Sequence, residues 1–241
     1  MPFEIGSLTD VGKRRTRNED ALEVLQLASA QGALCVVADG LGGHQAGDIA
    51  SRLVIDTIRQ AFAEGDHPTT DTLVGAIQTA NKAVFEASTT DSAKQGMGTT
   101  VLCALLRDGS AQLANVGDSP GFLVRGGQVQ RLTVDHSWVA EEIARGAIRP
   151  EEAAAHPYRH VLTRSLGMDA QVDVQVYPPL ELQTGDVVVL CSDGLSEHVD
   201  SGELPAAVNG RSAQAAADEL VALANDRGGS DNISVIVIRW S

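Results

Sequence analysis

The sequence predicts an α+β fold of antiparallel sheets covered by helices. Three observations carry this prediction. Short β-rich runs recur along the chain, turn chemistry joins several of them, and helical stripes fall in groups rather than in strict β–α alternation. The strand candidates are residues 21–27, 33–38, 99–106, 111–116, 121–124, 172–176, 187–190 and 233–238. Asp108-Gly109, between the third and fourth, is a strong short-range hairpin signal. Ala50, Leu53, Val54, Thr57, Ile58, Ala61 and Phe62 follow helical spacing, as do Leu73, Ile77, Ala80 and Val84. Ala213, Ala216, Ala217, Leu220 and Ala224 form a third stripe, with Ser212 placed as its N-cap. The stretch from about 137 to 160 is helical and charged, and carries His156-Pro157-Tyr158-Arg159-His160. It reads as an insertion packed against the sheets, bordering a site.

The 241 residues suit one globular domain, with 43% hydrophobic residues to fill its core. Lys and Arg total 18 against 32 Asp and Glu, giving a net charge of −14. That balance disfavours a nucleic-acid binder and an anionic-membrane binder, both of which need clustered cations. The apolar runs are far shorter than the roughly 20 residues that span a bilayer. Met1-Pro2-Phe3-Glu4 lacks the start of a signal peptide, so a soluble, cytoplasmic chain is expected. Cys35, Cys103 and Cys191 each sit in an apolar run, and their odd number and wide spacing read as buried thiols. No apolar stripe exceeds what a core would use, so a monomer is the default.

The aspartates fall at strand ends. Asp39, Asp118 and Asp193 close apolar runs, while Asp20 (beside Glu19) and Asp231 open them. In antiparallel pairing the start of one strand and the end of its neighbour share an edge. If 21–27 pairs with 33–38, Asp20 stands opposite Asp39, and all these carboxylates can converge on one rim. Packed carboxylates repel unless protonated or neutralised by a cation. Hard Mg²⁺ or Mn²⁺ fits better than zinc, since no run offers His/Cys spacing for zinc. Taken singly, each Asp-Gly is also an ordinary turn. Lys13-Arg14-Arg15-Thr16-Arg17 precedes Asn18-Glu19-Asp20. It reads either as a solvated basic stretch or as a guanidinium poised to grip a phosphate oxygen.

The motifs, in order, are Thr9-Asp10-x-Gly12, Arg15-x-x-Asn18-Glu19-Asp20-Ala21, and Ala38-Asp39-Gly40-Leu41-Gly42-Gly43-His44. Then come Gly98-Thr99-Thr100, Val116-Gly117-Asp118-Ser119, Asp135-His136-Ser137, Leu190-Cys191-Ser192-Asp193-Gly194-Leu195 and Gly228-Gly229-x-Asp231-Asn232. In this order the chain resembles the metal-dependent type 2C serine/threonine protein phosphatases of the compact bacterial kind. The resemblance spans nearly the whole chain. It implies one catalytic domain over residues 1–241, an α-β-β-α sandwich of two antiparallel sheets, with a flap subdomain at about 137–165. It also implies two Mn²⁺ or Mg²⁺ ions per chain, with provision for a third.

On this resemblance Asp39 bridges both metals, the Gly40 carbonyl binds one, and Asp193 and Asp231 complete the direct ligands. Glu19 and Asp20 hold metal-bound waters, and Asp118 with Asp193 forms the third position. Arg15 matches the phosphate-binding arginine, with Arg17 ranked below it. Arg15, Asp39, Asp193 and Asp231 are thus expected to carry catalysis. A metal-activated water attacks the phosphorus of phosphoserine or phosphothreonine in line, with no phosphoenzyme. The implied partners are phosphorylated proteins, targets of a serine/threonine kinase. Two departures stand out: Pro120 replaces the usual Arg after Gly-Asp-Ser, and Leu41 occupies the position of a eukaryotic general-acid His. His44 and His160 are the remaining histidine candidates for substrate contact. A catalytically silent phosphoprotein-binding module and a hydrolase of small phosphoesters are the competing readings.

Overall fold

The computed structural model describes residues 3–27, 32–42, 46–63 and 68–241. The chain opens with β1 (Phe3–Asp10), β2 (Ala21–Leu27), β3 (Gly32–Ala38) and the short β4 (Gly40–Leu41), then helices α1 (Gly47–Ala63) and α2 (Thr70–Thr90). Next come β5 (Gly98–Thr99), β6 (Val101–Arg107), β7 (Ser110–Val116), β8 (Gly121–Arg125), β9 (Gln128–Arg131) and helix α3 (Trp138–Ala144). The remainder is β10 (Gln175–Val176), β11 (Leu180–Glu181), β12 (Val187–Cys191), α4 (Asp193–Ser196), α5 (Leu204–Val208), α6 (Ala213–Asp226) and β13 (Ile233–Trp240).

Two sheets, antiparallel throughout, form the centre. One runs β1-β13-β12-β8-β9, the other β10-β7-β6-β3-β2 with β11 also on β7. Strand β3 shows why the apolar runs do not alternate with polar residues. Its Ala33, Cys35 and Val37 face the other sheet, while Leu34, Val36 and Ala38 face α1 and α2. Both faces are covered, so every position is apolar. The opposite outer face, from β12 and β13, packs on α5 and α6. The layers are therefore helix, sheet, sheet, helix. Each leucine fully buried in them contributes about 1.5–3 kcal/mol of transfer free energy.

Local chemistry fixes the connections. Asp108 (φ 51°) and Gly109 (φ 81°) form the expected tight turn between β6 and β7. Ser212 caps α6, accepting a bond from the Ala215 amide at 3.2 Å. The cysteines are buried and unpaired, and burial pushes the Cys35 thiol up to about 12. Among the described residues no helix is long and apolar enough to cross a membrane.

Four elements differ from the sequence expectation. β1 lacks the apolar density of a central strand because it is an edge strand. Its Gly6 lets α6 approach so closely that a Cβ there would meet the Gln214 amide at 2.2 Å. β9 lies at the far edge and is largely exposed, so it carries no apolar pattern. The 172–176 run pairs only at Gln175–Val176, and the 99–106 run is split where Gly98–Thr99 pairs with Gly40–Leu41 instead. Residues 28–31 lie outside the described residues.

Candidate metal centre

The register of β2 on β3 pairs Ala21 with Ala38, which sets Asp20 beside Asp39 at one end of that sheet. In the other sheet β12 pairs with β13, so the chain leaves through Ser192-Asp193 where Asp231-Asn232 enters. Asp118 follows β7 through Gly117 (φ 106°). The sheet ends thus gather Asp39, Asp118, Asp193 and Asp231, with Glu19, Gly40 and Arg15, around a cleft of about 580 Å³. Asp20 lies beneath it, buried.

The clustered carboxylates are electrostatically frustrated. Loss of hydration, then the charges of Asp20, Asp193 and Asp118, hold the Asp39 carboxyl well above its ordinary range. Burial raises Asp20 to about 7 despite hydrogen bonds from Ser234 and Ser192, and raises Asp118 to about 7 with help from Asp193. Asp193 rises to about 6 through burial and the charges of Glu197 and Asp231. The side chains of Asp39 and Asp193 interact directly, which pushes Asp39 further up and draws Asp193 down. Glu19 is also raised by burial, opposed by Arg15.

This donor set fits hard dications. Oxygen ligands dominate the cleft, no cysteine lines it among the described residues, and a bound cation would relieve the repulsion between the carboxylates. Gly40 brings its backbone to the centre, where a Cβ would collide with the Glu19 and Gly47 carbonyls at 2.4 and 2.3 Å. Only glycine leaves the Gly40 carbonyl this approach.

Hydroxyls and one amide hold the rim. Thr100 Oγ1 accepts from the Asp39 amide at 3.0 Å and shares a 2.7 Å bond with Ser119 Oγ, while Thr99 Oγ1 donates to the Asp39 carbonyl at 2.8 Å. Ser192 Oγ donates to Asp20 Oδ2 at 2.8 Å and accepts from the Ser234 amide at 3.0 Å. Asn232 Nδ2 donates to the Val11 and Arg17 carbonyls, each at 2.9 Å, and its Oδ1 accepts from the Glu19 amide at 2.8 Å. That one side chain ties the arginine loop to the carboxylates. Buried His136 accepts from the Gly117 amide at Nδ1 (3.0 Å), which steadies the turn carrying Asp118.

Arg15 reaches the cleft, where its Nη2 donates to Asp231 Oδ2 at 2.7 Å. Arg17 is exposed beside it. His160 joins from the 137–162 segment, its Nδ1 lying 3.3 Å from Glu197 Oε1. Ligand atoms of His160, Asp193 and Glu197 lie within 4.8 Å of one another. His44 lies outside the described residues. Pro120, at the position of the usual arginine, is buried and its carbonyl accepts from the Cys191 amide at 3.1 Å, so it links β12 to the Asp118 turn.

Glu197, the hydroxyl braces and the Asn232 clamp were not legible as functional residues. Thr99, Thr100, Ser119, Ser192 and Asn232 do lie inside the motifs, but their roles depend on which strand ends meet. Glu197 has a weak signal, its place four residues after Asp193 on a short helical turn.

A four-layer sandwich with such a carboxylate cleft and an arginine beside it defines a metal-dependent phosphoric-ester hydrolase. Residues 12–233 match the family model described as protein phosphatase 2C, and the chain belongs to that family. Its relatives include the Listeria innocua serine/threonine phosphatase stp, 36% identical over 236 residues, covering 95% of this chain and 93% of that one. The solved S. agalactiae serine/threonine phosphatase superposes with a TM-score of 0.94 at 33% identity, covering 99% of this chain and all of that one. A solved catalytic domain of the phosphatase PstP, in complex with 2 manganese ions, gives a TM-score of 0.83 at 31% identity over 98% and 97% of the chains.

Proposed function

We propose that this chain is a metal-dependent phosphatase of phosphoserine and phosphothreonine in proteins, acting as a cytoplasmic monomer on the targets of a serine/threonine kinase. The observation that supports it most is the convergence of Asp39, Asp118, Asp193 and Asp231 beside Arg15 in one cleft. In this reading residues 1–241 form one catalytic domain and about 137–165 its flap.

Asp39, the Gly40 carbonyl, Asp193 and Asp231 would hold two Mn²⁺ or Mg²⁺ ions, with Glu19 and Asp20 behind them. Asp118 with Asp193 would hold a third. Such ions, when bound, supply an acidified water nucleophile and offset charge on the phosphoryl oxygens. The chain's own groups do the rest. Arg15, which pairs with Asp231, has the fork geometry to grip two phosphoryl oxygens. Asp39, braced from behind by Thr99 and Thr100, keeps its position as charge shifts during displacement. His160 is aimed at the cleft by Glu197, where it contacts the incoming phosphate. Water's oxygen bonds to phosphorus as the serine or threonine oxygen leaves and takes up a proton.

The test is hydrolysis of a phosphothreonine peptide. Turnover is expected with Mn²⁺ or Mg²⁺ and none with excess chelator. Full turnover under chelation would overturn the reading.

A further inference from the structure

The basic loop that the sequence singled out has a use beyond Arg15. Many arginines of this acidic chain are neutralised close by. Arg59 pairs with Glu23 and Asp56, Arg125 with Asp186, Arg145 with Glu141 and Glu142, and Arg227 with Glu203. Arg17, Arg159 and Arg164 differ. None has a carboxylate within ion-pair distance among the described residues, and one lines the cleft, one the groove beside it, and one follows the loop that bears Arg15.

Arg17 closes the loop that bears Arg15, is exposed, and is near enough for its charge to act on Glu19. Arg159 lines the cleft from the 137–162 segment. Arg164 lines a groove of about 560 Å³ that runs on from the cleft, sharing Leu41, His160 and Leu162 with it. Its acidic members are Asp169 and Asp173, the latter where the groove meets a hollow lined by Gln78 and Lys82. Cations therefore border the phosphate site on two separate elements.

In a protein of net charge −14, unpaired guanidiniums gathered at one opening repel basic ligands and attract acidic ones where charge otherwise works against them. We propose that Arg17, Arg159 and Arg164 form a recognition rim for phosphorylated segments in which acidic residues flank the phosphoserine or phosphothreonine. The proposal rests on the phosphatase reading for its substrate and on the three arginines for its specificity. Arg15 holds the phosphate itself, while the rim reads the side chains beside it.

The test compares two phosphothreonine peptides, identical except for Asp or Lys at the flanking positions, with 4-nitrophenyl phosphate as a substrate without flanks. All are measured at one fixed concentration of free Mn²⁺. The acidic peptide is expected to show a KM about tenfold lower than the basic one. Each of Arg17→Gln, Arg159→Gln and Arg164→Gln is expected to erode that ratio by about twofold, the scale of an exposed ion pair. Salt at about 0.5 M is expected to shrink it, and kcat on 4-nitrophenyl phosphate is expected to stay unchanged in all three variants.

Equal KM values for the two peptides would overturn the rim. So would a preference that survives in the triple variant, since that would assign the acidic residues to the bound dications instead. Fluorescence anisotropy with the same labelled peptides separates this inference from the phosphatase reading. If no phosphoester is turned over with metal, the phosphatase reading fails by itself. Tighter, arginine-dependent binding of the acidic peptide then still supports the rim, and equal affinities still sink it.

Discussion

The rim of the two sheets and the segment at 137–162 both face the cleft, but they are held in different ways. At the rim the carboxylates sit on the ends of buried strands, and buried hydroxyls brace them. Thr99 and Thr100 fix Asp39 from both sides of its backbone, and Ser192 fixes Asp20. The 137–162 segment is built mostly from its own contacts. Trp138 stacks on His156 at 5.0 Å and meets Tyr158 edge-on at 5.2 Å, while Arg145 and Arg149 pair with nearby glutamates. A bond from the Trp138 amide to the Val161 carbonyl closes its two ends on each other, and the His160–Glu197 pair ties it to the rim. Groups that must hold charge to a fraction of an ångström belong on strands locked by hydrogen bonds. Groups that meet varied protein surfaces can belong to a segment whose outer contacts are exposed ion pairs, each contributing little.

That contrast breaks most visibly in the response to substitution. Asp193→Asn at the rim is expected to lower kcat on a phosphothreonine peptide about 10³-fold or more, since a lost metal-ligating charge removes several kcal/mol of transition-state stabilisation. A variant within tenfold of the parent would show that the rim is not the reacting centre. Next in size is the response to metal. Excess Mn²⁺ is expected to raise the melting temperature by about 5–10 °C per site over the chelated protein at a hundredfold excess over Kd. The gain is expected to be larger at pH 8 than at pH 6. Asp20, Asp118 and Asp193 have raised folded-state values of about 7, 7 and 6. Folding of the metal-free chain therefore weakens as pH rises through that window, because the unfolded carboxylates release their protons first. Equal melting points with and without metal would remove the rim's assignment.

Trp138→Ala tests the other region. It removes the stack that organises 137–162 without touching a carboxylate, so KM for a phosphopeptide is expected to rise about threefold to tenfold while the metal-induced gain in melting temperature stays intact. Loss of that gain would couple the two regions and end the contrast. The smallest effect sharpens the picture of the rim. Burial, then the charge of Arg164, lowers His136 to about 4, so it is neutral when folded. Its contribution is fully present above about 6.5 and is lost as pH falls toward 4, because the unfolded histidine takes up a proton first. The stability gap between the chelated parent and His136→Gln is therefore expected to narrow from pH 7 to pH 5, as read by urea melts. A constant gap would mean that the bond from the Gly117 amide matters by shape alone.

The sequence by itself determined a good deal. Apolar runs closed by Asp39, Asp118 and Asp193 and opened by Asp20 and Asp231 are a local pattern, and antiparallel pairing needs little more to predict a shared edge. The tight turn at Asp108-Gly109 and the Ser212 cap are equally local, fixed by backbone preferences of a few residues. The tertiary structure alone decided the rest. Strands β1 and β9 exist because neighbours complete them, Gly6 by admitting α6 and Gln128–Arg131 by pairing along an exposed edge. Thr100 meets Ser119, Ser192 meets Asp20 and Glu197 meets His160 across separations that no local pattern encodes. Charge shows the division most clearly. The composition fixed the net value at −14, but only the fold decided which carboxylates crowd into one cleft and which arginines stay unpaired at its mouth. Summed charge is a property of the chain, whereas desolvation and repulsion depend on distance, and distance is set by packing.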